Sequence, residues 1–204
     1  MSSSRSDPQD AEMAGASISE FGGVRYLHLG TDWVQGAMRI RKPQHLELEY
    51  IQRMMAWMLW RSSEALEQGH AVQLGLGASA ITRFTHQVLR MRTTAVELNA
   101  TVIDAGHLWF HLPDNDARLN VLHLDAARWV RDPAQAQTVD VLCVDLYDHE
   151  AAAPVLDDAE FYAACRGVLA PGGLMSVNLF GRDASFERSA AHIAMAFGAD
   201  QVWQ

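Results

Sequence analysis

Two acidic residues follow an apolar run in VDVLCVDLYDH, which spans residues 139–149. Asp145 ends the run and Asp148 lies three residues later. A carboxylate pair at the tip of a buried strand can bind a cation, accept a proton from a reacting group, or only organise a loop. These two residues are therefore the first candidates for catalysis.

A glycine turn and a more distant glutamate indicate a second kind of chemistry, the binding of a nucleoside. In VQLGLGASA (72–80), Gly75 and Gly77 follow an apolar run, where a backbone either approaches a ligand or simply turns from strand to helix. Glu97 lies 20 residues past Gly77 in TTAVEL, and a carboxylate at that spacing can accept two hydrogen bonds from a ribose diol. Together these residues predict a nucleoside-containing ligand.

Another acidic residue follows the apolar run RLNVLHL (118–124). The Asp125 carboxylate can accept from an adenine amino group while the Ala126 N–H meets a ring nitrogen. The alternative is that Asp125 is the N-cap of a short helix that begins at Ala126. Three carboxylates at strand tips beside a glycine turn fit an S-adenosyl-type nucleoside better than a dinucleotide, because only the turn amides are available to a pyrophosphate.

The elements that would position these residues alternate between strand and helix patterns. This alternation predicts a parallel sheet with right-handed crossovers, and hence an open, doubly wound, mostly parallel α/β sheet of Rossmann-like type over residues 46–204. Ligands of such sheets bind beyond the carboxyl ends of the strands, where strand order reverses. The predicted strands are 72–76, 93–98, 119–124, 139–145 and 174–179, and the predicted helices are 46–66, 79–89, 100–110, 126–130, 157–169 and 185–197.

The residues ahead of this sheet have a different character. Residues 1–19 are rich in Ser, Asp and Ala without periodicity and predict a mobile tail. Residues 20–45 predict an N-terminal β-hairpin, because FGGVRYLHLGTDWVQGAMRI alternates apolar residues and glycines as two short antiparallel strands do. The long helix predicted next carries Met and Trp residues between positions 54 and 60, a stripe that predicts packing against a sheet or a second subunit.

Composition narrows the possible partners. The chain has 204 residues, of which 49% are hydrophobic, and its formal net charge of −9 argues against binding to nucleic acid. No apolar run approaches the roughly 20 residues of a membrane span, and the first residues lack a signal-peptide core. Both cysteines lie in apolar segments and predict buried free thiols. We therefore expect a cytoplasmic protein without membrane or nucleic-acid partners.

With these features the chain resembles the spermidine synthase family, the polyamine aminopropyltransferases, over about residues 21–181. The strongest likeness is DLYDHEAAAPVLDDAEFYAACRGVLAPGG, where Asp-x-x-Asp and the later Phe161 and Tyr162 match the family's catalytic loop and following helix. TDWVQ (31–35) resembles the family's N-terminal hairpin, whose glutamine contacts the nucleoside donor. The resemblance implies a fold of the class I methyltransferase type and a homodimer.

The resemblance also implies roles for individual positions. Two positions depart from the family: its loop aspartate, which holds the donor's amino group, is Ala78 here, and its Tyr-x-Glu is Tyr50-Ile51-Gln52. The implied donor contacts are Gln35, Gly75, Gly77, Glu97 (ribose), Asp125 and Ala126 (adenine). Asp145 is the implied catalytic carboxylate, Asp148 helps to hold the acceptor amine, and Tyr50, Gln52 and Tyr147 line the acceptor path.

The reaction that the resemblance implies is aminopropyl transfer. A neutral amine attacks the methylene next to the sulfonium of decarboxylated S-adenosylmethionine, methylthioadenosine leaves, and no metal takes part. Because charge is absent at Ala78 and Gln52, two alternatives stay open. One is an S-adenosylmethionine-dependent methyltransferase on the same fold, and the other is a non-catalytic member that binds a nucleoside or scaffolds a partner.

Overall fold

Two β-sheets organise the protein. The computed structural model describes residues 15–146, 156–179 and 184–203. A three-stranded antiparallel sheet precedes a five-stranded sheet whose neighbouring strands all pair in parallel. The first sheet contains β1 (Ala16–Phe21), β2 (Val24–Leu29) and β3 (Gly36–Arg39), and the second contains β4 (His70–Leu74), β5 (Arg92–Glu97), β6 (Leu119–His123), β7 (Val139–Val144) and β8 (Leu169–Val177).

The five-stranded sheet confirms the predicted doubly wound fold. Its strand order is β6-β5-β4-β7-β8, so the chain runs outward from β4 to one edge, returns to the middle and then runs to the other edge. The order reverses between β4 and β7, and sheets of this type bind ligands at the carboxyl ends of the strands that flank such a reversal. β4 is buried along its whole length, as expected of a strand covered on both faces.

The N-terminal sheet is larger than the predicted hairpin. β2 pairs with both β1 and β3, and residues 16–19, which we assigned to a tail, lie in β1. The third strand contributes stability because an isolated two-stranded hairpin is marginal in water. β1 was missed because most of its side chains are exposed, which leaves little apolar pattern in its sequence. Residues 1–14 of the predicted tail lie outside the described residues.

The single long helix predicted over residues 46–66 is wrong. This segment contains α1 (Glu49–Met54), a 3₁₀ helix (Met55–Trp60) and α2 (Ser63–Gln68). The Ser62 hydroxyl accepts a hydrogen bond from the Ala65 N–H and so begins a new helix. Met54, Met55 and Trp57 of the apolar stripe are buried in the protein's own core, whereas Trp60 is exposed. The prediction failed because the α-helix ends at Met54, the stripe continues as a 3₁₀ helix to Trp60, and Arg61 is extended before the Ser62 cap.

The other predicted helices are present with small shifts at their ends. Asn99, Asp125 and Asp158 each accept a hydrogen bond from a backbone N–H of the first turn of their helix. These helices are α3 (Ala80–Arg83), which continues as a π-helix (Phe84–Val88), α4 (Ala100–Trp109), α5 (Ala126–Val130), α6 (Ala159–Val168) and α7 (Ala184–Phe197). Short 3₁₀ turns occur at Pro133–Gln135 and Ala199–Gln201.

Cys143 and Cys165 are free and buried, as predicted. Burial raises the pKa of Cys143 to about 12, so its thiol stays protonated at neutral pH. Among the helices of the described residues, none combines the length and the apolar character that crossing a membrane requires.

The two sheets meet at the turn that follows β4. Leu27 of β2 and Met38 of β3 share a core cluster with Leu76. At the start of β3, a Cβ atom on Gly36 would lie 2.6 Å from both the N and Cβ atoms of Ala78. The N-terminal sheet is therefore seated directly on the glycine turn, and the absence of a side chain at position 36 permits this approach.

We expect Gly36→Ala to lower the free energy of unfolding by about 2 kcal/mol, because the added methyl must displace main-chain atoms of a packed turn. Urea-induced unfolding measures this change. Gly167→Ala in α6 is the matched control, since a Cβ atom there meets nothing within 4 Å, and it should leave the stability equal or slightly higher. Equal stability of Gly36→Ala and the wild type would contradict the close contact.

Candidate active site

The glycine turn brings the end of β4 against the end of β7. Gly75 has φ +84°, in the left-handed region that favours glycine, and a Cβ atom there would overlap the Asp145 carbonyl oxygen. Gly77 has φ +50°, and a Cβ atom there would lie 3.1 Å from the Gln35 carbonyl oxygen. Both glycines therefore lie where another backbone segment approaches closely, and the turn packs against the residues that follow β7 and precede β3.

Gln73 is a buried polar side chain beneath this turn that the sequence analysis did not single out. Its Nε2 donates to the carbonyl oxygens of Gly75 at 2.6 Å and of Leu76 at 3.2 Å. Its Oε1 accepts from both the N–H and the hydroxyl of Thr82. The signal that could have identified it is a lone amide within the otherwise apolar run AVQLGL.

Glu97, at the end of β5, holds the same turn from the neighbouring strand. Its Oε2 accepts from the Leu76 N–H at 2.8 Å and its Oε1 accepts from the Asn99 N–H at 2.8 Å. Burial raises the pKa of Glu97, and these backbone hydrogen bonds act in the opposite direction. Each carboxylate oxygen can accept more than one hydrogen bond, so these contacts are compatible with the predicted ribose contact, which stays a prediction.

Asp125 is the N-cap of α5, as one of the two alternatives expected. Its Oδ1 accepts from the Arg128 N–H at 2.8 Å, and Ala126 is buried as the first residue of the helix. The Leu124 N–H donates to the Glu97 carbonyl oxygen, so Asp125 follows directly from a strand end paired with β5. The cap uses one carboxylate oxygen, and the predicted adenine contact stays a prediction.

Asp145 follows β7 and accepts hydrogen bonds at both carboxylate oxygens. Tyr50 Oη donates to Oδ2 at 3.3 Å, and Asn178 Nδ2, just after β8, donates to Oδ1 at 2.9 Å. Burial raises the pKa of Asp145, while the hydrogen bonds from Asn178 and Tyr50 lower it. Asn178 was missed in the sequence, although the rule that selected the other residues, a polar side chain at a strand tip, also applies to it.

A narrow pocket brings four of the predicted site residues together. Gln35, Tyr50, Gly77 and Asp145 line it, and its other walls are mainly small or apolar residues of β3, α1 and the turn, such as Ala78. Within the described residues, no three His, Cys, Asp or Glu side chains are grouped closely enough to hold a metal ion. The pocket therefore places one carboxylate, that of Asp145, beside apolar surface.

The remaining predicted residues lie elsewhere. Gln52 is not brought to the pocket, because its side chain is exposed and its Nε2 donates to the Leu46 carbonyl oxygen. Glu97, Asp125 and Ala126 lie at adjoining strand ends, outside the walls of this pocket. Tyr147 and Asp148 lie outside the described residues.

The fold and the site together define the class of protein. A doubly wound parallel sheet, with a glycine turn after its first strand and carboxylates after the next three, is a fold of the class I methyltransferase type. Solved structures share it. A probable spermidine synthase from Corynebacterium glutamicum has a TM-score of 0.73 and 22% identity, covering 88% of this chain and 65% of that one. Human methyltransferase-like protein 13 in complex with SAH has a TM-score of 0.65 and 22% identity, covering 74% of this chain and 73% of that one.

Sequence similarity is more specific than the fold. The polyamine aminopropyltransferase of Neisseria meningitidis serogroup A is 33% identical over 181 residues, which are 88% of this chain and 67% of that protein. The chain belongs to the polyamine aminopropyltransferase family, a family of transferases. It spans about two thirds of the length of three curated relatives that it resembles. No family model matches the chain.

We expect the carboxyl of Asp145 to titrate above the ordinary aspartate value of 3.8, and further upward in Asn178→Ala and Tyr50→Phe. Each variant removes a hydrogen bond that favours the charged form, so more of the residue is protonated at a given pH. Carbon-13 NMR titration of labelled aspartate measures the pKa. Asn120→Ala, at an exposed position of β6, should leave it unchanged. A pKa that falls in Asn178→Ala would contradict the described contact.

Proposed function

We propose that this protein transfers the aminopropyl group of decarboxylated S-adenosylmethionine to an amine and releases methylthioadenosine. The observation that carries the proposal is Asp145, a partly buried carboxylate that lines the pocket together with the glycine turn. Membership of the polyamine aminopropyltransferase family favours the same reaction. We further propose that the protein acts as a homodimer.

The proposed reaction is a direct displacement. The neutral amine nitrogen forms a bond to the methylene carbon beside the sulfonium, the carbon–sulfur bond breaks, and its electron pair neutralises the sulfur of methylthioadenosine. The amine loses a proton, which the Asp145 carboxylate can accept. Burial raises the pKa of Asp145, and a carboxylate whose pKa is raised is a stronger base than that of an exposed aspartate. Tyr50 and Asn178 hold the carboxylate in place.

The donor is proposed to lie along the carboxyl ends of the strands beside the glycine turn. We propose that the turn contacts it through Gly75 and Gly77, that Gln35 contacts it from the segment just before β3, and that the ribose and adenine contacts proposed above follow along β5 and β6. Tyr50 is proposed to face the acceptor amine together with Asp148 and Tyr147. Gln52 has no part in this proposal, because its side chain is engaged away from the pocket.

Methyl transfer from S-adenosylmethionine on the same fold fits the relatives less well, because the similar curated proteins carry aminopropyltransferase names and the methyltransferases resemble the chain in fold. Calorimetric titration separates the two reactions. We expect tighter binding of decarboxylated S-adenosylmethionine than of S-adenosylmethionine, with S-adenosylhomocysteine as the product control. Tighter binding of S-adenosylmethionine would favour the methyltransferase.

Turnover is tested with the purified protein, decarboxylated S-adenosylmethionine and a panel of diamines, with methylthioadenosine measured by chromatography. We expect methylthioadenosine to form only when an amine acceptor is present. Its absence with every acceptor would overturn the proposed activity. Binding of methylthioadenosine under the same conditions would then identify a non-catalytic nucleoside-binding member.

We expect Asp145→Asn to lower kcat by about 10²–10³-fold, because the amide cannot accept the proton of the amine. Binding of methylthioadenosine should be kept, as measured by calorimetry. Asp140→Asn is the matched control: it lies at the opposite end of β7, where the side chain accepts from the His70 N–H, and an amide oxygen can still accept there. Equal rates for Asp145→Asn and the wild type would remove Asp145 from the mechanism.

A further inference from the structure

Arg83, at the end of α3, is the largest fully buried side chain of the described residues, with 1% of its surface exposed. Its guanidinium donates four hydrogen bonds, and all of the acceptors are main-chain carbonyl oxygens. Nη1 donates to Ala78 and to Phe110 at 2.6 Å each, while Nε and Nη2 donate to Pro43 at 3.3 and 3.1 Å. A buried cation held only by carbonyls is unusual, because buried charges are normally paired with an opposite charge.

The three carbonyls belong to three segments around the site. Ala78 is in the glycine turn and lines the pocket. Pro43 lies in the linker between β3 and α1, the helix that carries Tyr50. Phe110 ends α4, the helix that follows Glu97. Arg83 therefore connects the glycine turn to two other segments. One is the linker that leads to Tyr50, and the other is the end of the helix that follows Glu97.

We propose that Arg83 is a positioning residue that fixes the Ala78 end of the glycine turn, and with it the geometry of the donor pocket. The inference rests on the proposed function for its effect on donor binding. Arg83 complements Gln73, which holds the carbonyls of Gly75 and Leu76 in the same turn. Three of the four carbonyls from Gly75 to Ala78 are thus held by buried side chains.

The chemistry of arginine suits this task better than that of lysine. A guanidinium presents five N–H donors in a planar fork, so one side chain can reach acceptors in several directions at once. A lysine ammonium is a single point on a flexible stem and cannot replace all four hydrogen bonds. Burial lowers the pKa of Arg83 to about 10, so the group remains protonated at neutral pH and its hydrogen bonds stay charge-assisted.

The proposal is tested with two variants, Arg83→Lys and Arg83→Gln, and Arg61→Lys is the control variant. Arg61 is the matched control because its Nη2 also donates to two main-chain carbonyls, those of Asp140 and Gly172, at the opposite end of the sheet. Steady-state kinetics with decarboxylated S-adenosylmethionine give KM and kcat. Hydrogen exchange of the ligand-free protein gives the protection of two turn amides: the Leu76 N–H, which donates to the Glu97 carboxylate, and the Ser79 N–H, which donates to the Leu76 carbonyl.

In both Arg83 variants we expect the donor KM to rise about tenfold while kcat changes less than about threefold, since the turn loses its fixed geometry but Asp145 does not. The Leu76 and Ser79 amides should exchange about tenfold faster. Arg61→Lys should leave the donor KM and these exchange rates unchanged. A purely structural role would instead lower the fraction of folded enzyme, and so kcat, at constant KM.

Two outcomes would overturn the proposal. One is unchanged donor KM or unchanged turn exchange in the Arg83 variants, and the other is failure of both variants to fold, which would assign Arg83 to the core. If the wild type shows no turnover, the proposed function fails, while exchange of the turn amides and calorimetric binding of methylthioadenosine still decide the role of Arg83. A wild type that neither turns over nor binds methylthioadenosine would overturn both.

Discussion

A main-chain contact between two neighbouring strand ends determines the layout of the site. The turn after β4 passes so close to the Asp145 carbonyl that position 75 admits no side chain, and Gly36 of β3 meets the same turn at Ala78. The glycine turn and the Asp145 carboxylate are therefore held at a short separation by the backbone itself. The side chains around the pocket refine a geometry that the strand order β5-β4-β7 already imposes.

Buried polar side chains stiffen this arrangement. Gln73, Glu97 and Arg83 each form hydrogen bonds with the main chain of the turn. Leaving any of these side chains unpaired in the interior would destabilise the folded protein. A displaced turn would leave at least one buried carbonyl, amide or charge without its partner. These buried groups therefore exclude alternative conformations of the turn. A turn that is already ordered loses less conformational entropy when a ligand binds.

The Asp145 carboxylate is balanced between two opposing effects. Burial raises its pKa, whereas the hydrogen bonds from Tyr50 and Asn178 lower it. Those two donors come from α1 and the end of β8, which are far apart in sequence, so the base strength of Asp145 depends on tertiary packing. Its place at a strand tip, by contrast, follows from the local pattern of an apolar run that ends in a carboxylate.

Apolar periodicity and helix caps are local properties, so they were enough to predict the strands of the parallel sheet, most helices, the doubly wound fold and the strand-end positions of Glu97, Asp125 and Asp145. The sequence left the cap role of Asp125 as one of two alternatives, and it placed a turn at the two glycines. Only the folded protein shows that Gln52 points away from the pocket and that Arg83 reaches from α3 to carbonyls of the glycine turn, the β3–α1 linker and the end of α4. Both outcomes depend on which main-chain carbonyls a polar side chain meets in the folded protein, and no local pattern encodes that meeting.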